Sequence, residues 1–137
     1  MATNLEVIGD ALSDLNVIAE TQTPSAEQGA HGLRKLNELM ESWTEREIDL
    51  GYVGQSSTTD PCPIPAWAKE AVTAALSIAL APRYGAVVTP ELTAKYMESF
   101  ATVLRKSVLD KLVPIDTSHL PLGSGWVGFR GRILTGE

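Results

Sequence analysis

The sequence predicts an all-α fold, a four-helix bundle over residues 1–112 followed by an extended C-terminal arm over residues 113–137. Three observations lead there. Apolar residues recur at helical spacing in four segments, each with recognisable start and stop signals. One of these segments, residues 71–80, is apolar nearly all round, as a helix at the centre of a bundle is. From Val113 onward the periodicity is lost, yet the chain stays rich in aromatic and aliphatic residues.

The first helix is expected to start at Thr3, where Thr3 and Glu6 have the spacing of a capping box. Leu5, Ile8, Leu12 and Leu15 fall on one face, and the helix is predicted to run to about Ile18. The second begins at Thr23 or Ser25. Pro24 suits a first helical position, and Ser25 with Gln28 forms a second possible capping box. Leu33, Leu36, Met40 and Trp43 repeat the stripe of the first helix, so the two are expected to form an antiparallel hairpin, with Gly51 as the stop. Residues 51–63 read as a loop, and residues 48–53 could add a short strand. Pro65 opens the third helix, which carries Trp67 and Leu76 and is capped by Gly85. Thr89, Pro90 and Glu91 supply an N-cap, a first-position proline and a first-turn acid for the fourth. Leu92, Tyr96, Phe100, Val103, Leu104 and Val108 are its expected inner face, and Pro114 stops it. The core candidates are therefore Leu33, Leu36, Met40, Trp43, Trp67, Leu76 and Phe100.

The arm is unlike a linker. It holds five of the chain's eleven glycines, and beside them Leu120, Leu122, Trp126, Phe129, Arg130, Arg132, Ile133 and Leu134. Disordered segments are poor in such apolar residues. The composition points to a chain that lies on a surface, most simply that of another subunit.

Charge narrows the function classes. The net charge is −6, but residues 1–60 hold eleven acids against three bases, a net of −8, while residues 61–112 carry a net of +2. No basic stripe is present to displace counterions from a phosphate backbone, so tight nucleic-acid binding by the isolated chain is not expected. Acidic and basic halves could pack against each other between neighbouring copies. The single Cys62 cannot form an internal disulfide and fits a reducing compartment. Residues 1–4 carry no basic run of the kind that opens a signal peptide. The longest apolar stretch is too short to span a bilayer, so no membrane partner is expected.

Catalytic and metal chemistry find little support. His31 and His119 are far apart, with no His-x-x-x-His or Cys-x-x-Cys spacing, so no metal is expected. Cys62 has no histidine near it in sequence. Glu38, Glu41, Glu45, Glu47 and Asp49 crowd the end of the second helix. Paired carboxylates roughly 5 to 10 Å apart could cleave a glycosidic bond. A run of acids on an amphipathic helix is more simply a wet face. Gly123, Gly125 and Gly128 match the GxGxxG spacing, but no strand precedes them and no helix follows. No cofactor is expected.

Several landmarks together resemble one family. They are Ile8-Gly9-Asp10-Ala11-Leu12-Ser13-Asp14-Leu15-Asn16-Val17, then Thr23-Pro24-Ser25-Ala26-Glu27-Gln28, and the most specific run, Gly32-Leu33-Arg34-Lys35-Leu36-Asn37-Glu38-Leu39-Met40-Glu41-Ser42-Trp43. Ile64-Pro65-Ala66-Trp67 and Leu80-Ala81-Pro82-Arg83-Tyr84-Gly85 follow. In order and spacing the chain is similar, over roughly residues 5–105, to the head-to-tail adaptors of tailed bacteriophages, also called tail accessory, head-completion or packaged-DNA-stabilisation proteins. The resemblance implies a structural protein of the virion head–tail junction, made in the host cytoplasm. It implies a homo-oligomeric, dodecameric ring beneath the portal protein, reached by an arm that docks on the portal. The ring would extend the DNA channel, touch DNA transiently in its lumen, and receive the next tail component, a nozzle or tail-completion protein. The arm residues Leu120, Leu122, Trp126, Phe129, Arg130, Arg132, Ile133 and Leu134 would then be portal-binding. Some relatives are credited with peptidoglycan cleavage, so a small cell-wall hydrolase is the competing expectation. A DNA-binding regulator is opposed by the acidic balance and the lack of a recognition helix.

Overall fold

The computed structural model describes residues 1–116, 118 and 119. Its elements are α1 (Asn4–Asp14), α2 (Ala26–Glu45), a short 3-10 helix (Ala66–Ala68), α3 (Lys69–Tyr84) and α4 (Pro90–Lys111). The described residues form no strand, only an isolated bridge between Thr3 and Pro61, so the strand anticipated at residues 48–53 is not made.

The helix starts follow local chemistry. Thr3 Oγ1 accepts from the Glu6 amide at 3.2 Å while Glu6 accepts from the Thr3 amide at 2.9 Å. Ser25 and Gln28 make the same reciprocal pair at 3.3 and 2.8 Å. Thr89 caps α4 through the Leu92 amide, with Pro90 in the first position. Each pair gives partners to amides that the helix itself leaves unbonded.

The helix ends differ from expectation. α1 stops at Asp14 rather than near Ile18, and α2 at Glu45 rather than Gly51. In both, a left-handed residue turns the chain. Asn16 has φ 56° and Glu47 φ 65°. The Val17 amide bonds to the Leu12 carbonyl, and the Ile48 amide to the Trp43 carbonyl, both at 3.0 Å. Asn16 and Glu47 also bond back, to Ser13 and Thr44. This is the Schellman arrangement, in which the residue after the turn packs apolar surface against the helix it has left. Ile48 is buried and Val17 partly so. Gly85, at φ 62°, ends α3 the same way, with the Ala86 amide on the Ala81 carbonyl.

α3 sits at the centre and touches α1, α2, α4 and the 3-10 helix. Ala71, Val72, Ala74, Ala75, Leu76, Leu80 and Ala81 are buried around its circumference. Ser77 is also buried; its hydroxyl faces the Thr73 carbonyl at 2.9 Å and the Ala11 carbonyl at 3.1 Å, tying α3 to α1. Around this rod close Val7, Ile8, Leu12, Leu33, Leu36, Met40 and Trp43, with Leu92 and Val103 of α4. Phe100 is half-buried, edge-on to Trp43 at 5.2 Å and stacked on Tyr96 at 5.4 Å.

Three further expectations need correction. α1 and α2 are not an antiparallel hairpin. Leu5 approaches Gly29 and Ile8 approaches Gly32, so the contacts advance together along both helices, and the connection folds back to set Pro24 against Gly9. Trp67 is 39% exposed, because the 3-10 helix turns Ala68 inward in its place. Leu104 and Val108 face outward. Val103, next to Leu104, is fully buried, so Leu104 and Val108 are exposed because they lie on another side of α4.

Two substitutions test this packing. A Cβ on Gly32 would lie 2.5 Å from Cγ2 of Ile8, which is stiff at its branch point and fully buried. Gly32→Ala is expected to lower unfolding free energy by about 1 to 3 kcal/mol, measured by urea titration, as overpacking does. Glu47→Gly removes the strain of a left-handed non-glycine residue and is expected to raise stability by about 1 kcal/mol. A midpoint below that of the parent would contradict the turn at Glu47.

Candidate functional site

The site candidates fall into an apolar end, a pinned loop, an acidic groove and two isolated reactive side chains. The apolar end belongs to α4. Met97, Leu104, Val108, Leu109 and Leu112 are exposed, followed by Val113 and Ile115. Val108 is 57% exposed and Val113 82%. Exposed apolar residues this close together mark an interaction surface more often than a plain solvated face. Met97, Leu104 and Val108 lie on the side of α4 turned away from the buried Leu92 and Val103. The proposed portal-binding residues Leu120, Leu122, Trp126, Phe129, Arg130, Arg132, Ile133 and Leu134 lie outside the described residues.

The loop between α2 and the 3-10 helix carries the Ser/Thr-rich residues 56–59. It is held by two asparagines that sequence reasoning did not single out. The Asn37 carbonyl oxygen accepts from the Tyr52 hydroxyl at 2.6 Å and the Gln55 amide at 3.0 Å, while its NH2 donates to the Gln55 carbonyl at 2.9 Å. Asn4 is fully buried and donates to the Ser57 carbonyl at 2.8 Å. The loop returns the support. Carbonyls of Asp60 and Thr58 accept from the Asn4 and Leu5 amides, which open α1 and have no partner within the helix. The only signal for this in sequence was an asparagine placed within each apolar helical stripe.

Beside the loop, Asn37, Met40, Glu41, Thr44, Glu45, Tyr52 and Gly54 line a groove of about 660 Å³. It brings Glu41 and Glu45 to one concave surface, one turn apart on α2. Glu38 is engaged elsewhere, 2.7 Å from Lys35, whose hydrogen bond holds its carboxyl below the usual range. Glu47 and Asp49 lie past the helix end, where Asp49 accepts from the Gly51 amide and the Glu47 carbonyl accepts from Lys111 of α4. Thus the acidic cluster seen in sequence is divided among three different settings.

His31 accepts from the Arg34 guanidinium at Nδ1, 2.9 Å away, and meets Tyr84 edge-on. Burial, and then the charges of Arg83 and Arg34, push its pKa down. His119 lies 3.8 Å from Asp116. The described residues contain no group of three or more His, Cys, Asp or Glu that could hold a metal. Among them, no helix is long and apolar enough to cross a membrane.

Cys62 is 2% exposed, between two prolines, with its amide on the Ala2 carbonyl. Burial raises its thiol from 9.0 to about 11. The folded chain therefore keeps a proton that the unfolded chain loses first, and the stability this contributes falls as pH rises from 9.0 through about 11. A thiol-disulfide reagent at pH 8 is expected to label Cys62 slowly in the native protein and rapidly in denaturant. Equal rates in the two states would show that the thiol is accessible.

No protein-family model matches the chain, and no curated protein matches it.

Proposed function

We propose that this chain is a structural head-to-tail adaptor of a tailed bacteriophage. In this reading it assembles as a homo-oligomeric, dodecameric ring beneath the portal protein at the virion head–tail junction. The ring extends the DNA channel and presents a platform to the next tail component.

The observation that carries the reading is the apolar surface at the far end of the body. Leu112, Val113 and Ile115 are exposed where the chain runs into a segment rich in Trp126, Phe129, Ile133 and Leu134. A helical body with so much apolar side chain at one end suits attachment to a larger assembly. The acidic charge of residues 1–60 supports the second part of the reading, since a channel that passes DNA has to release phosphates rather than hold them. Arg130 and Arg132 suit charge-assisted bonds to acids on the portal. The adaptor resemblance of residues 5–105 supplies the identity of the partner.

The groove that carries Glu41 and Glu45 is where the competing activity, cell-wall hydrolysis, would have to act. Clearing of purified peptidoglycan by the parent protein, abolished by Glu41→Gln or Glu45→Gln in a folded variant, would favour that activity.

The deciding experiment mixes purified protein with portal rings and follows the product by electron microscopy. A ring of added density beneath the portal is expected. Deleting residues 120–137 is expected to leave the helix content and melting of the body nearly unchanged while weakening attachment at least about a hundredfold, as loss of an apolar anchor does. A truncated chain that still docks at full affinity would place the portal-binding surface on the bundle.

A further inference from the structure

The outward face of α4 has a spacing of its own. Met97, Ala101, Leu104 and Val108 are separated by four, three and four residues, and all four are exposed. The spacing lets the four lie in one row against a second helix packed alongside. The stripe is flanked by Glu98 and Arg105, two exposed residues seven apart, so both hold the same position beside the seam. Neither makes a salt bridge to a described residue.

We propose that α4 is a self-association surface whose occupant is α4 of a second copy of this chain, packed antiparallel about a two-fold axis. The register follows from the residues. Setting Ala101 opposite Leu104 of the second copy also sets Met97 opposite its Val108. Small then meets large in the two central layers, and the backbones can approach closely. The same register brings Glu98 beside Arg105 of the second copy, and by symmetry Arg105 beside its Glu98. A parallel pairing would instead set Glu98 beside Thr93 and Arg105 beside Phe100 of the second copy, leaving neither charge a partner of opposite sign. The charges thus select the antiparallel arrangement, an isologous contact that closes on two copies. It is a contact of the free chain and goes beyond the adaptor reading, since a closed pair does not by itself propagate a ring.

Sedimentation of the full chain, without portal, over about 1 to about 500 µM tests the proposal, a range that brackets a weak interface of limited area. The mass is expected to rise from one copy to two. Leu104→Glu is expected to hold it at one copy. Glu98→Arg and Arg105→Glu, each alone, place like charges together and are expected to weaken the pair about tenfold. The double variant is expected to restore it. Glu98 and Arg105 are exposed, so the charge swap decides the matter even if Leu104→Glu perturbs the fold. A mass of one copy at every concentration overturns the proposal. So does a pair that tolerates Leu104→Glu, or a double variant no better than the single ones. If residues 120–137 of the same chain cover the stripe instead, the full chain stays single and only the truncated chain associates, which also overturns it. No portal enters these measurements, so their failure is separate from failure of the adaptor reading.

Discussion

Ala71, Val72, Ala74, Leu76 and Leu80 point to different sides of α3 and are all buried, so each neighbouring helix has to supply one wall of the same sheath. A helix of this kind has no face that water can take, and its burial drives the arrangement of everything else. Its small side chains let the neighbours come close. Of its two buried hydroxyls, that of Ser77 is satisfied by carbonyls of its own turn and of α1. The hydroxyl of Thr73, also buried, has no hydrogen-bond partner among the described residues.

Given that rod, the way the chain leaves α1 and α2 is set by what can be buried at each helix end. Asn16 and Glu47 adopt left-handed backbone conformations so that Val17 and Ile48 can return to the core. Asparagine visits that conformation readily, whereas glutamate does so at a cost that the burial of Ile48 offsets. The loop at residues 51–63 is held differently. It has few apolar residues of its own, and Asn4 and Asn37 fasten it by hydrogen bonds across more than one element. In exchange its carbonyls complete the first turn of α1. The N-terminal helix, the loop and α2 are therefore one mechanical unit.

The outer side and the last turn of α4 are where apolar side chains are left exposed. α4 has 22 residues and α3 has 16, and the excess lies at the end nearest the arm. Val108, Leu109, Leu112 and Val113 there are each more than half exposed. The one tie across this end runs from Lys111 to the Glu47 carbonyl, which fixes the direction of α4 without covering it. An adaptor needs a rigid body and an apolar end that another protein can cover.

What the sequence by itself determined is what is encoded within a few residues. The capping boxes at Thr3 and Ser25, the start of α4 at Thr89 and Pro90, and the end of α3 at Gly85 all rest on contacts within one helical turn. The stripe of Leu36, Met40 and Trp43, and the burial of residues 71–77, 80 and 81, follow from the run of apolar residues at helical spacing. The tertiary structure decided what depends on a distant partner. The sense of α1 relative to α2 is set by Gly32 admitting Ile8, a contact between different helices. Trp67 points outward because the 3-10 helix gives Ala68 the inner place. Leu104 and Val108 share α4 with Val103, which is fully buried, yet they are exposed, because they lie on the side of the helix that faces away from its neighbours. Periodicity specifies which side chains share a face. The position of the neighbouring helices decides whether that face is covered.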